Sequence, residues 1–113
     1  MLPAANRLRN GKDFARTTRT GARVTSPSLV LYVLTRTGNS TGPQVGLIVN
    51  KSVGGSVVRH RVARQLRHLI APQLHKFDQE TQIVIRTLRM KDSYTAELED
   101  LVERVQKKLL VAS

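Results

Sequence analysis

The segment that most restricts the possible folds is an amphipathic helix predicted from Val57 to about Ala71. At about 100° per residue, its aliphatic side chains fall within one arc of about 120°. These side chains are Val58, Val62, Leu66, Leu69 and Ile70. We expect Ser56 to cap the start of the helix and Pro72 to mark its end. A helix with one apolar stripe must bury that stripe against a second layer of structure.

The opposite side of this helix is basic. It carries His60, Arg61, Arg64, Arg67 and His68. The three arginines are spaced by three and form a slanting row that rises about 4.5 Å per step. One guanidinium group can donate two parallel hydrogen bonds to the oxygens of a phosphate. A row of arginines can therefore follow a nucleic-acid backbone. A solvated cationic face is the alternative, but no acid occurs between positions 14 and 77 to balance it.

The charge is concentrated in the first two thirds of the chain. The 113 residues hold 19 Lys and Arg against 8 acids, a net charge of +11. Residues 1–76 contain 13 of these bases and a single acid, Asp13, whereas residues 77–113 contain 6 bases and 7 acids. A one-sided field of this kind favours a polyanionic partner. A membrane is disfavoured, because no apolar run approaches the about 20 residues of a spanning helix. Neither the helix from Val57 nor the basic segment between Asn10 and Gly21, which is also predicted to be helical, has the large apolar face with Trp or Phe of an interfacial anchor.

The other elements predict an α+β fold with a single sheet in one domain, residues 1–113. Residues 1–9 are predicted to be a flexible basic arm, and the polar segment Thr35–Pro43 a hairpin loop. The predicted elements are a helix between Asn10 and Gly21, strands at 22–25, 29–34, 45–49 and 83–85, and a last helix capped by Ser93 that ends near Leu110. The order is α-β-β-β-α-β-α.

The residues that usually carry catalysis are absent or badly placed. The chain has no Cys, which excludes a disulfide scaffold, a thiolate metal site and a thiol nucleophile. His60, His68 and His75 are spaced by eight and seven, so they do not form an i, i+4 metal pair. The sequence therefore predicts no catalytic residue and no metal site in the protein.

Two aromatic residues, Phe14 and Tyr32, are not obviously used by a core stripe. An aromatic ring beside basic residues can stack an unpaired base. Filling the core is an equally good explanation for each. The Gly-rich turn from Val49 to Ser56 could place an anion at the helix start, but it lacks the order of a Walker loop.

Three segments, in order along nearly the whole chain, carry a family resemblance. They are Asn6–Arg9 with Asp13 and Phe14; Leu29–Tyr32 with Val45–Leu47; and Val49–Lys51 through Gly54 to Val58–Arg67. Together they resemble the protein component of bacterial ribonuclease P, and Ser93–Leu98 resembles the usual opening of its last helix. The resemblance implies a fold like the second domain of ribosomal protein S5, with a left-handed β-α-β crossover.

The resemblance also implies a function. The protein is expected to bind the catalytic RNA of ribonuclease P and the 5′ leader of precursor tRNA, and to assist removal of that leader. Mg²⁺ held mainly by the RNA is expected to do the chemistry, so the protein acts as a non-catalytic cofactor of an endoribonuclease. A monomer, one per catalytic RNA, in the cytoplasm is expected.

The resemblance assigns roles to ten residues. The implied RNA contacts are Lys51, Arg59, His60, Arg61, Arg64, Arg67 and His68, and the implied leader contacts are Phe14, Arg16 and Tyr32. Some positions depart from the family pattern. His60 replaces an Asn, Ala63 replaces a basic residue, Ser52 replaces a Lys and Thr18 replaces an aromatic residue. The Arg-Pro pair that usually follows the fourth strand is missing.

A small basic ribosomal protein is the alternative. It would share the charge and the size, but a long disordered basic tail would favour it, and no basic tail here exceeds nine residues. A protein-only nuclease would need paired carboxylates or a histidine site, which the sequence does not offer.

Overall fold

The computed structural model describes residues 2–38 and 42–112. Its helices and strands follow the predicted order: α1 Gly11–Thr20, β1 Ala22–Thr25, β2 Leu29–Leu34, β3 Gln44–Val49, α2 Ser56–Ile70, β4 Gln82–Thr87 and α3 Thr95–Ala112. Short 3₁₀ turns are added at Ala4–Asn6, Lys51–Val53 and Ala71–Lys76. Part of the predicted 35–43 loop, residues 39–41, lies outside the described residues.

The four strands form one mixed sheet in the order β1-β2-β4-β3. β4 is antiparallel to β2 and parallel to β3, so the β3-α2-β4 segment crosses between parallel neighbours. The predicted β2–β3 hairpin is therefore wrong, because β4 lies between these strands. The chain after β2 instead passes the start of β4, where the Thr37 amide donates to the Glu80 carbonyl at 3.1 Å.

One face of the sheet is covered by α2 and α3. Alternate strand residues point into this core, including Leu31, Val33, Val45, Ile83 and Ile85. The predicted apolar stripe of α2 joins them, with Val62, Leu66 and Ile70 buried. The core thus contains aliphatic side chains and two aromatic residues, Phe77 and Tyr94, the latter completely buried.

Glu97 fastens α3 to the turn between β1 and β2. Its Oε2 accepts hydrogen bonds from the Ser26 hydroxyl and the Ser28 amide, and its Oε1 lies 2.6 Å from Lys91 Nζ. Partial burial pushes the pKa of Glu97 upward, but the hydrogen bonds from Lys91, Ser26 and Ser28 outweigh that effect. The pKa of Glu97 therefore lies below its ordinary value, and its charged form stabilises the fold.

The N-terminal segment is not the loose arm that its composition predicts. Leu2 and Leu8 are buried, with 1% and 6% of their surface exposed. The Leu8 amide donates to the Val45 carbonyl at 2.8 Å, and Arg7 forms a parallel bridge with Val45. Residues 7 and 8 therefore add one isolated bridge at the edge of β3, and the segment is held down because Leu2 is buried in the main core and Leu8 in the cluster on the other face of the sheet.

Of the three predicted helix caps, Asn10 is confirmed, whereas Ser56 and Ser93 each miss the cap position by one residue; Tyr94 precedes α3, and its carbonyl accepts from the Leu98 amide. Asn10 Oδ1 accepts from the Lys12 amide at 2.8 Å, and Ser93 Oγ accepts from the Thr95 amide at 3.3 Å. Ser56 is not the cap of α2: Gly55 precedes the helix, and its carbonyl accepts from the Arg59 amide. Within the described part of the chain, no helix is long and apolar enough to cross a membrane.

Candidate nucleic-acid interface

The second face of the sheet is only partly covered. We call it the cleft face; α1 lies across it and contacts β2 and β4. A small apolar cluster is buried there, built from Leu8, Val30, Tyr32 and Val84, with Phe14, Ile48 and Leu88 packed beside it. Because α1 is a short helix with one large apolar residue, it leaves part of the cleft face open to solvent.

Phe14 is half-buried, and its ring rests against β3. A Cβ placed on Gly46 would lie 2.2 Å from Cζ of the ring, so the absence of a side chain at position 46 makes room for Phe14. The two explanations offered for Phe14 therefore coexist: part of the ring fills a recess in the sheet, and part remains accessible.

Tyr32 lies on the same face but is 6% exposed. Tyr32 pairs with Val84 of β4, and Val84 pairs with Gly46 of β3. Tyr32 and Gly46, the residue under the Phe14 ring, are therefore two strand spacings apart across the sheet, about 10 Å. The guanidinium carbon of Arg86 stands 5.9 Å from the centroid of the Tyr32 ring, a cation–π distance. Tyr32 therefore presents little free ring surface, and Arg86 stands beside it.

Arg86 was not among the predicted contacts. It is half-buried, and its Nε is buried without a hydrogen-bond partner among the described residues. Arg86 lies two residues after Val84, so the period-two alternation of β4 puts both on the cleft face. That alternation is the signal that could have identified Arg86 from the sequence.

Arg16 lies in the middle of α1, two residues after Phe14, and its side chain reaches the start of β4. Its Nη2 donates to Gln82 Oε1 at 3.3 Å and stands 3.6 Å from Asp13 Oδ1. Thr17 donates to the same Gln82 oxygen at 3.3 Å. Gln82 thus anchors α1 to β4, while the Arg16 side chain remains 45% exposed.

The cationic residues of α2 divide into two groups. His60, Arg61, Arg64 and His68 are exposed, whereas Arg59 and Arg67 are half-buried on the flank of the helix, with Ala63 between them. The single row predicted from Arg61 to Arg67 is therefore spread around the helix. Arg64 occupies the middle of the exposed face, and Arg61 and Arg67 lie on its two flanks.

Each flank opens into a different hollow. Arg67 lines a groove of about 450 Å³ together with Phe14 and Gly46, and with Arg7 and Arg9 of the N-terminal segment. Arg61 lines a separate hollow beside the loop Met90–Asp92. The first groove joins the arginine-bearing helix to the cleft face. Arg7 and Arg9 belong to it, although the sequence placed them only in an arm.

Lys51 follows the end of β3 and is exposed in the short 3₁₀ turn before α2. The turn ends at Gly54, whose φ of 152° lies in the region that favours glycine. A Cβ at Gly54 would also stand 3.0 Å from Val58. The turn is thus held in one shape, and it presents Lys51 beside the N-terminal end of the exposed face of α2.

The charge around these surfaces is mainly positive, with Asp13 beside Arg16 and Asp92 in the hollow that Arg61 lines. Among residues 2–38 and 42–76, Asp13 is the only acid. The described residues contain no group of three or more His, Asp or Glu side chains that could hold a metal ion. The arrangement offers guanidinium groups, an ammonium group and a partly open ring, which can bind phosphates and stack a base.

Comparisons with known proteins agree on one family. A family model for ribonuclease P matches residues 2–110. The "Ribonuclease P protein component" of Mycolicibacterium gilvum is 42% identical over 119 aligned positions, covering 99% of this chain and 95% of the relative. The protein of the same name from Rhodococcus opacus is 39% identical, covering 97% and 90%.

Solved structures share the fold. The RNase P protein of Staphylococcus aureus matches with a TM-score of 0.69 and 24% identity, covering 92% of this chain and 94% of that one. The RNase P protein of Thermotoga maritima, solved with 1-(4-fluorophenyl)-2-thiourea, matches with a TM-score of 0.62 and 20% identity, covering 94% and 95%.

Proposed function

Because the chain belongs to the ribonuclease P protein family, we propose that its basic helix face and its cleft face act together, one on the catalytic RNA and one on precursor tRNA. The chain is a protein subunit of ribonuclease P, an endoribonuclease complex. The observation that carries the two-surface proposal is the groove shared by Arg67 of α2 and Phe14 of α1.

The surface for the catalytic RNA is centred on the exposed face of α2. It comprises Lys51, Arg59, His60, Arg61, Arg64, Arg67 and His68. Exposed arginines on a helix held by its opposite, buried stripe can bind phosphates without disturbing the core. Arg64 lies in the middle of the exposed face, opposite the buried stripe, so it is the strongest candidate for a phosphate contact.

The surface for the 5′ leader is the cleft face. Phe14 supplies the accessible ring for base stacking, while Arg16 and Tyr32 stand toward the edges of the cleft. To these predicted residues we add Arg86, Arg7 and Arg9. Arg86 is half-buried on the cleft face beside the Tyr32 ring, and the two N-terminal arginines line the groove that Phe14 enters.

The protein's part in the reaction is to bind and orient RNA. We propose that it does not cut precursor tRNA alone and that Mg²⁺ is held mainly by the catalytic RNA. There, Mg²⁺ would activate the attacking water and stabilise the leaving oxygen. The described residues fit a binding role, because their cationic groups form a phosphate-binding surface and their carboxylates are not clustered.

We further propose one protein monomer per catalytic RNA, acting in the cytoplasm. The large apolar side chains exposed among the described residues are few: Val57, Met90, Leu110 and Val111. The strong positive charge also opposes self-association, because copies of the chain repel each other.

Reconstitution with the cognate catalytic RNA tests this function. Cleavage of precursor tRNA at low Mg²⁺ concentration should be slow with RNA alone, accelerated by the protein, and absent with protein that has been freed of RNA. A ribosomal protein of similar charge, added as a control, should not reproduce the acceleration. Metal-dependent cleavage at the mature 5′ end by the RNA-free protein would show that the protein carries its own catalytic site.

A further inference from the structure

The two edges of the sheet differ in how the rest of the chain covers them. At the edge formed by β1, α3 supplies two cations. Lys108 Nζ donates to the Arg23 carbonyl, and Arg104 Nη1 donates to the Thr25 carbonyl, both at 2.8 Å. An unpaired strand edge can pair with another chain, and charged side chains placed along it oppose such pairing. The β1 edge is therefore closed by α3, and β3 forms the other edge of the sheet.

The hydrogen bonds of β3 show which of its main-chain groups face outward. The amides of Gln44 and Asn50 donate to carbonyls at the two ends of β4, so the even-numbered residues of β3 bond to β4. The odd-numbered residues point their N–H and C=O groups away from the sheet. The Val45 carbonyl accepts from the Leu8 amide, but among the described residues no hydrogen bond reaches the main chain of Leu47. Leu47 thus presents an open donor and an open acceptor at this edge.

This open edge lies in the groove that joins the cleft face to α2. Leu47 is half-buried and lines the groove, which has a volume of about 450 Å³. Its neighbour in the chain, Gly46, is the residue against which the Phe14 ring rests. Arg67 lines the groove from α2, which packs on the opposite face of the sheet. The groove therefore passes around the edge of β3, with an aromatic ring on one side of Leu47 and a guanidinium group on the other.

The charges that line the groove indicate what binds there. The described lining residues include Arg7, Arg9 and Arg67 and no acid. Arg7 is held in place, because its Nε donates to the Leu2 carbonyl at 3.3 Å. A strand of a second copy would bring the same positive charges to this edge and would be repelled. An unpaired RNA strand fits better, because it carries phosphates for the arginines and bases for the ring.

We propose that the main chain of Leu47 binds a base of the 5′ leader in this groove. The N–H donates to an acceptor on the edge of the base, and the C=O accepts from a donor there. Every RNA base offers at least one of each on its Watson–Crick edge, so the contact holds the strand with little preference for one base. This inference rests on the proposed function, because it adds a contact to the leader that Phe14 is proposed to stack.

Hydrogen exchange of main-chain amides tests the proposal directly. NMR would follow exchange in the full ¹⁵N-labelled chain, alone and with a single-stranded oligoribonucleotide of leader sequence. In the free protein the Leu47 amide should exchange fast, whereas the Gly46 and Ile48 amides, which bond to β4, should exchange slowly. Bound RNA should slow exchange at Leu47 about tenfold or more. Val49 also faces outward but is not among the residues that line the groove, so its amide should stay fast.

Substitution by proline removes the N–H group from the edge. Proline is tolerated on an edge strand where that N–H faces away from the neighbouring strand. In holoenzyme reconstituted with the catalytic RNA, Leu47→Pro should weaken binding of precursor tRNA about three- to tenfold and leave binding of mature tRNA unchanged. Two controls should bind precursor tRNA like the parent. Leu47→Val keeps the N–H with a smaller side chain, and Val49→Pro removes an outward N–H beyond the groove.

Three results would overturn the proposal. The first is slow exchange at Leu47 in the free protein, or exchange that RNA leaves unchanged. The second is slowing that depends on protein concentration without RNA, because the edge would then pair with a second copy. The third is equal binding of precursor tRNA by folded Leu47→Pro and Leu47→Val. Melting curves show whether the proline variant folds, and if it does not, exchange in the parent protein decides.

Phe14→Ala separates this inference from the function on which it rests. If Phe14→Ala weakens precursor tRNA more than mature tRNA while Leu47→Pro weakens neither, only the Leu47 contact is wrong. If neither variant distinguishes the two ligands, and RNA does not slow exchange at Leu47, the leader binds on another surface and both proposals fail.

Discussion

The Cζ end of the Phe14 ring occupies the space that a side chain at position 46 would need, 2.2 Å from where the Cβ would stand. Gly46 lies in β3, beside the open part of the cleft face, and its neighbour across the sheet is Val84. The ring is therefore positioned by a missing side chain rather than by a deep pocket. This makes Gly46 a position where one methyl group can displace the residue proposed to stack a leader base.

Gly46→Ala should reduce both stability and leader binding. The new Cβ cannot coexist with the ring, so Phe14 must turn away or α1 must shift, which typically destabilises by about 1–3 kcal/mol. Thermal melting and paired titrations with precursor and mature tRNA would measure the two effects. Gly11→Ala is the matched control, because a Cβ there meets nothing within 4 Å. A variant at position 46 that melts and binds like the parent would contradict this placement of Phe14.

Phe14→Ala should weaken precursor tRNA more than mature tRNA. Base stacking on an aromatic ring contributes roughly 1–3 kcal/mol, so binding of the precursor should fall about tenfold or more. Mature tRNA lacks the leader and should be almost unaffected. Some loss of melting temperature is also expected, since the ring is half-buried. Equal weakening of both ligands, in a variant that melts like the parent, would exclude a stacking role.

Arg61→Ala and Arg64→Ala should weaken binding to the catalytic RNA without unfolding the protein. Both side chains are exposed on α2. Each lost phosphate contact should reduce the magnitude of the slope of log K against log salt concentration by about 1 or slightly less. Binding measured across a salt series gives this slope. Unchanged slopes in both variants would place the RNA contact on another surface.

Val62→Asp changes a residue of the same helix, but it should unfold the protein rather than only weaken RNA binding. Val62 is 4% exposed in the main core, so the substitution buries a carboxylate without a partner. We expect loss of the cooperative melting transition and, with it, loss of all RNA binding. Circular dichroism and melting curves distinguish this outcome from that of Arg64→Ala. A folded Val62→Asp protein would show that α2 does not pack on the sheet through this residue.

Glu97→Gln should change how stability depends on pH. In the folded protein the pKa of Glu97 lies below its ordinary value, so the unfolded chain binds the proton more readily as pH falls. The stabilisation from the carboxylate, about 1 kcal/mol, is present above pH of about 4.3 and disappears as pH falls through the lowered pKa.

Denaturant titrations at neutral pH and near pH 3 measure this change. The parent should be more stable than Glu97→Gln at neutral pH, and the difference should shrink in acid. Glu103→Gln is the control: its carboxylate is 70% exposed in an ion pair with Lys107, so its removal should have little effect. A difference that stays constant with pH would mean that the hydrogen bonds, rather than the charge, stabilise the turn.

Local signals in the sequence predict the elements well. The stripe of α2, the Asn10 cap and the order of seven helices and strands all depend on residues close together in the chain, and all are confirmed. The predicted cap at Ser56 is wrong by one residue. Gly55 has the extended backbone that precedes a helix, and Ser56 is already the first residue of α2. Such an error at a helix end does not alter the fold.

Composition and periodicity do not give the pairing between distant segments, although the family resemblance implies the β3-α2-β4 crossover. The composition of Thr35–Pro43 indicates a loop but does not say that β4, more than 30 residues further on, will lie between β2 and β3. Likewise, Leu2 and Leu8 are isolated leucines in a basic segment, and only the assembled sheet provides the clusters in which they are buried. The grooves that join Arg7, Arg9 and Arg67 to Phe14 depend on these pairings.

The central position of β4 has a consequence for the order of events during synthesis. β4 is the last strand to leave the ribosome, yet it supplies the hydrogen bonds that hold both β2 and β3 in the sheet. Until residues 82–87 emerge, the earlier strands have no shared partner, and long-range pairing of this kind forms slowly. The nascent chain can form the β1–β2 hairpin, but β3 and the second edge of β2 stay unpaired in a strongly cationic segment until β4 emerges. The rate at which β4 pairs with β2 and β3 would then determine how much newly synthesised protein is lost to premature, disordered association.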